Sequence, residues 1–203
     1  MLEKDKTQIA EKRQRFYTSG EPLFERFGFK KTTVEDICAT AGVSKRTFYE
    51  LFKDKTEFFA RMALHISEDL LYEWQTGLPE TMNAPSKILS FIDFYVEIMI
   101  KRPVFRLFSQ DPEALLAFGV LGSELSLSPI IEAFREIIDQ GKDEGNFRIL
   151  DTDIAVWMIM SLMDSMYLLV PEFFETEFDS EEKEAKLKSE IKQFILHALG
   201  GRN

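Results

Sequence analysis

Apolar residues recur along the chain at spacings of three and four, and sustained alternation is scarce, so the pattern predicts an all-α protein. A first helix is expected within residues 3–27, followed by short helices over 34–41 and 45–52. A long helix starts at Lys55 and ends before Gly77. Further helices are expected near residues 86–101, 104–108, 113–122, 128–143, 153–169 and 181–199. Between Asp111 and Ser128 the period is blurred by Gly119, Gly122 and a Ser/Leu alternation. Gly20 and Pro22 fall inside the first helix, and an interior proline removes an i→i−4 bond, so a break is expected over Thr18–Glu21. Residues 154–171 carry a single charge, Asp164. That stretch is at the lower length limit for a bilayer, with its charge mid-span, and is expected to be a helix covered by protein, with no membrane partner.

The segment from Thr33 to Glu57 carries the local signals. Thr33 and Asp36 resemble a capping box that opens one helix, and Ala41-Gly42-Val43 turns the chain in three residues. Ser44 is a strong N-cap for the next helix. Two short helices around a glycine turn make a helix-turn-helix, whose second helix can enter a DNA major groove. At about 100° per residue from Lys45, Tyr49 lies near 40°, Lys53 near 80° and Arg46 near 100°. On the same wheel Phe48, Leu51 and Phe52 lie between about 240° and 340°. One face is apolar, and the opposite face offers cations and a phenol to bases and phosphates. Asp54 and Glu57 form a second capping pair, with Lys55 in the first turn of the long helix as a candidate phosphate clamp.

Charge sharpens this picture. The chain has 203 residues, 45% apolar and 30% charged, which suits a globular protein. Its net charge of −10 is unevenly spread. Residues 1–61 hold 13 Lys+Arg against 10 Asp+Glu, while the remainder holds 12 against 25. A basic portion ahead of an acidic one suggests an anionic partner for the first. With one cysteine, Cys38, there is no disulfide framework and no zinc ribbon, and the lack of a basic, apolar leader predicts a cytoplasmic protein. Cys38 is expected to be a small core residue.

Leu23 to Phe29, Thr32 to Ile37, Ala41 to Tyr49 and Phe52 to Lys55 together resemble, in order and spacing, the DNA-binding domain of the TetR family of transcriptional regulators. Gly141 to Arg148 before a long apolar helix resembles the end of that family's effector domain. The resemblance implies an N-terminal three-helix DNA-binding domain over residues 1–53, and a C-terminal helical bundle for effector binding and dimerisation over 54–203. It implies DNA contacts at Thr33, Ser44, Lys45, Arg46, Thr47, Tyr49 and Lys55. Arg46 stands where that family commonly has a small residue; it could hold a guanine or a phosphate. The implied partners are a near-palindromic double-stranded operator, a small-molecule effector, and a second copy of the chain through the last two helices. In the final helix Leu187, Ile191, Phe194, Ile195 and Leu199 form the expected dimer stripe.

In the acidic remainder, Phe94, Phe108, Phe118, Met163, Asp164 and Tyr167 are candidate effector contacts, because pockets are mostly apolar with a few polar anchors. Asp164 could anchor an effector, pair with a cation or face solvent. No GxSxG, GxGxxG, Walker loop or HExxH occurs, and His65 and His197 lie far apart, so no enzyme, metal or cofactor is expected. Three readings stand: an effector-released regulator, a DNA-binding protein of the same fold without a switch, and an all-helical small-molecule binding protein.

Overall fold

The computed structural model describes residues 2–102, 104, 105, 107, 111, 113, 114, 116, 129–168 and 181–200, without the side chains of 2–6, 99–101, 164–168, 181–184 and 187. Eight helices lie among the described residues: α1 (Leu2–Lys31), α2 (Val34–Ala41), α3 (Lys45–Leu51), α4 (Lys55–Thr76), α5 (Ala84–Lys101), α6 (Pro129–Asp143), α7 (Thr152–Leu168) and α8 (Glu181–Ala198). No strand occurs among the described residues. The helices expected near 104–108 and 113–122 fall largely outside them. The chain divides into two compact units: Met1–Ile66 with Pro103–Gly122, and Ser67–Arg102 with Ser123–Asn203.

Unit 1 is organised by phenylalanine. Phe16, Phe24, Phe29, Phe48, Phe52, Phe58 and Phe59 are each at most 2% exposed. Phe58 of α4 sits among the others, with ring centroids 5.0 Å from Phe52, 5.4 Å from Phe48, 6.1 Å from Phe24 and 6.4 Å from Phe16. Such tilted and edge-on pairs suit the ring quadrupole.

The expected break over Thr18–Glu21 does not occur. Helical dihedrals persist through Gly20 and Pro22, and the chain leaves them at Gly28, with φ 77° and ψ 171°. The reason is tertiary. A Cβ on Gly20 would lie 2.7 Å from Phe58 Cζ, so the missing side chain lets α4 approach α1. Thr18 and Pro22 are exposed, which leaves the carbonyl deprived of its helical partner on a solvated flank. After Gly28, Phe29 turns inward. Thr32, 1% exposed, donates its hydroxyl to Gly28 O at 2.8 Å.

Unit 2 has an aliphatic core with aromatic contributions from Phe91, Phe134 and Phe147. Its polar clasp surrounds the 141–148 turn. Asn146 and Phe147 donate their N–H groups to Gly141 O at 2.8 and 2.9 Å, and Gly145 adopts φ 73°. The Glu144 carboxylate accepts from Ala84 N at 3.0 Å, Gln140 Nε2 at 2.5 Å and Asn146 Nδ2 at 2.8 Å, tying the start of α5 to the end of α6. The Ala84 and Gln140 bonds hold the Glu144 carboxyl below its ordinary value of 4.5. The folded pKa lies below the unfolded one, so this stabilisation is present above the ordinary value and is lost as pH falls through the folded pKa. Melting temperature should therefore fall more steeply between about pH 5 and 3 in the wild type than in Glu144→Gln. Equal slopes would contradict this role.

Unit 2 also corrects the dimer stripe. Ile191, Ile195 and Leu199 are 7%, 1% and 1% exposed and enter the chain's own core, whereas Phe194 is 62% exposed. The Leu187 side chain lies outside the described residues. On α7, Ile154, Trp157 and Met158 are exposed at i, i+3, i+4 spacing, while Val156, Ile159 and Met163 are buried. A helix apolar all round must be covered all round, and among the described residues nothing covers this face.

Candidate nucleic-acid interface

Two caps fix the turn that presents α3. Thr33 caps α2: its hydroxyl accepts from Asp36 N at 3.1 Å and donates to Asp36 Oδ2 at 2.5 Å, while the same carboxylate accepts from Thr33 N. Gly42 then ends α2 in the left-handed region, φ 62°, which glycine adopts without steric cost. Its N–H donates to Ala39 O, and that of Val43 donates to Cys38 O. Arg15 of α1 closes the turn from outside, its guanidinium donating to Ala41 O at 2.8 Å. Ser44 caps α3, accepting from Thr47 N at 3.2 Å. Cys38 is buried beneath, and burial pushes its thiol up, away from the reactive thiolate.

The faces of α3 separate. Phe48 is fully buried and Phe52, its C-cap, nearly so. Lys45, Arg46, Tyr49 and Glu50 are exposed, Thr47 half-buried. The cations are not bare. Lys45 pairs through its ammonium with Glu35 of α2, which lowers the Glu35 pKa and raises that of Lys45. Arg46 donates Nε to Glu50 Oε1 at 3.0 Å. Tyr49 stands edge-on to Phe48, centroids 5.4 Å apart. The sequence reading missed Glu35 and Glu50 as partners of the ridge, and the bond from Arg15 to the turn. The i,i+4 spacing of Arg46 and Glu50 was a signal for one pair. Lys45 and Glu35 are ten residues apart across a turn, and Arg15 meets a backbone atom, so neither left a pattern.

Lys55 departs from expectation. Its ammonium points inward, donating to Phe29 O at 2.7 Å and Thr32 O at 3.0 Å, and lies 4.4 Å from the centre of the Phe29 ring. Burial lowers its pKa, against the opposing charges of Glu113 and Asp111. It thus braces the end of α1 against the head of α4, where half of the expected capping pair forms: Glu57 N donates to Asp54 Oδ1, while the Glu57 carboxylate accepts from Lys53 N, one residue before the cap. Lys55→Met removes both donors, and unit 1 should lose about 1.5–3 kcal/mol, the range for hydrogen bonds involving a charged group. A thermal melt unchanged from the wild type would contradict the brace.

Of the expected effector contacts, Met163 is in the unit 2 core and Phe94 packs against it, stacked on Trp74 with centroids 5.7 Å apart. Phe108 and Phe118 lie outside the described residues, as do the side chains of Asp164 and Tyr167. A groove of about 610 Å³ lies instead in unit 1, lined by Glu11, Gln14, Arg15, Thr18, Ser19, Thr40 and Ala41. His65 Nε2 donates to Gln14 Oε1 at 2.6 Å and the ring packs on Tyr17, so it has a structural setting. Among the described residues no cluster of His, Cys, Asp and Glu could hold a metal, and no helix is long and apolar enough to cross a membrane.

Comparison with known proteins agrees with this geometry. The family described as "Bacterial regulatory proteins, tetR family" matches residues 18–62, which span the end of α1 through the first turns of α4. The "Probable acrEF/envCD operon repressor" of Escherichia coli (strain K12) is 24% identical over 168 residues, 78% of this chain and 76% of that protein. Among solved structures, RolR in complex with resorcinol superposes with a TM-score of 0.74 at 17% identity, covering 97% of this chain and 91% of that one. FadR from Bacillus subtilis in complex with stearoyl-CoA gives 0.65 at 15% identity, covering 90% and 97%.

Proposed function

We propose that the chain, whose residues 18–62 match the tetR family of bacterial regulatory proteins, is a DNA-binding transcriptional regulator of that family: a homodimeric repressor, released from a near-palindromic operator by a small, largely apolar effector. The observation that carries the reading is the outward ridge of Lys45, Arg46 and Tyr49 on a helix whose underside, Phe48, is anchored in the unit 1 core. Long cationic side chains on such a helix reach base edges and phosphates. Ser44 and Thr47 at the head of α3 and exposed Thr33 at the head of α2 add hydroxyls for phosphate, and Lys55 contributes through the brace and its remaining N–H.

One seven-residue helix reads few bases. Two copies related by a two-fold axis reach successive major grooves about 34–36 Å apart, which favours a dimer. The exposed Ile154, Trp157, Met158 and Phe194 supply an apolar surface for that pairing. Residues 1–53 read DNA, and 54–203 bind effector and dimerise, in the cytoplasm and without catalysis. Phe94, Phe108, Phe118, Met163, Asp164 and Tyr167 are assigned to the effector. Resorcinol and stearoyl-CoA, bound by the structural relatives, share an apolar portion with polar anchors, which supports an organic, partly apolar effector. Effector binding favours a dimer shape whose two α3 helices no longer match adjacent grooves.

Selection from a random duplex pool tests the reading. It predicts enrichment of a two-fold symmetric sequence, an affinity that falls linearly with salt on a log–log scale, and release by some member of a panel of phenols and acyl-CoAs. An unenriched pool would refute it. DNA binding that no compound weakens would favour the same fold without a switch.

A further inference from the structure

Arg46 and Lys45 hold their carboxylate partners in different ways. Lys45 gives Glu35 one N–H of a point-like ammonium, which has no planar fork. Arg46 commits only Nε to Glu50, in a side chain 88% exposed. Contact through Nε in so exposed a side chain leaves the two terminal nitrogens of the guanidinium available as a fork. That fork is what matches O6 and N7 of guanine.

Helix stability does not account for the pair. An acidic residue four positions before a basic one supports a helix better than the reverse, and Arg46 precedes Glu50. Arg46 also lies in the first turn of α3, where the helix dipole disfavours a cation. A carboxylate on a ridge that meets phosphate weakens binding, all else being equal.

We propose that Glu50 is a positioning residue for base choice: it holds the Arg46 guanidinium by Nε so that its two terminal nitrogens meet one guanine in each half-site. This rests on the DNA-reading function above. An unheld arginine has many rotamers to lose on docking, and holding one rotamer in advance removes that loss from the specific complex.

The test is a double-mutant cycle on the full-length chain, using the duplex it selects from a random pool and all single-base variants of that duplex. Binding is read by fluorescence anisotropy. Arg46→Ala should relax the choice at one base pair per half-site. Glu50→Ala should relax the same base pair by about three- to tenfold, the cost of immobilising a rotamer-rich side chain. Glu50→Gln keeps an acceptor for Nε and should retain most of the discrimination. Glu50→Ala added to Arg46→Ala should change nothing further. The proposal is overturned if Glu50→Ala leaves discrimination intact, relaxes a different base pair, or acts equally with and without Arg46, as direct contact of Glu50 with cytosine would. A Gln variant as relaxed as the Ala variant, or an Arg46→Ala variant that relaxes nothing, overturns it too. A wild-type chain that enriches no sequence overturns the underlying DNA-reading function, and the proposal with it.

Discussion

Phe58→Ala should destabilise unit 1 by about 3–5 kcal/mol, the range for emptying a buried phenylalanine site. The ring is fully buried, and it supports Phe48 and Phe52 beneath α3, Phe16 and Phe24 of α1, and the close approach to Gly20. The surrounding rings are themselves packed edge to face, so the site collapses poorly and most of the void persists. Because whole domains are stable by only about 5–15 kcal/mol, the variant should also lose the ordered presentation of α3. Phe58→Leu, which keeps much of the volume, should cost markedly less. Amide hydrogen exchange resolves the effect by segment: protection over Lys45–Leu51 should fall by orders of magnitude in Phe58→Ala. A loss below about 1 kcal/mol would mean that the aromatic cluster does not hold the ridge in place.

Gly141→Ala should cost unit 2 about 3 kcal/mol, the upper end of the range for overpacking. A Cβ there would lie 2.0 Å from Phe147 Cδ2 and 2.3 Å from Cε2. Neither partner can retreat cheaply. Phe147 is 4% exposed, and its own N–H is bonded to Gly141 O, while Arg148 N donates to Leu199 O next in the chain. Both tryptophans, Trp74 and Trp157, belong to unit 2, so urea unfolding followed by their fluorescence reports this unit. The pair Gly141→Ala with Phe147→Ala should lose less than the two single variants summed, because removing the ring removes the collision. Strict additivity would exclude the collision as the cause.

What the sequence disclosed was local. Thr33, Asp36, Ser44, Asp54 and Glu57 announce helix starts because capping joins residues three apart, and each is found doing so. The split faces of α3 follow from one helical period. Gly20 and Pro22 misled for the opposite reason: propensity disfavours them inside a helix, and Phe58, 38 residues on, makes the glycine useful. Lys55 reads equally well as a phosphate contact or a brace until Phe29 and Thr32 are brought beside it. The stripe on α8 was visible as a stripe, but periodicity cannot tell a face that meets its own core from one that meets another molecule. Phe194, one position away from buried Ile195, marks that difference.

The central claim is that paired α3 helices lay their cationic ridges in successive major grooves of one duplex. A hydroxyl-radical footprint of the chain on its selected duplex tests it most directly. The account predicts two protected patches on one face of the DNA, related by two-fold symmetry and centred a whole number of helical turns apart, both lost on adding the effector. A single patch, or uniform protection independent of sequence, would contradict it.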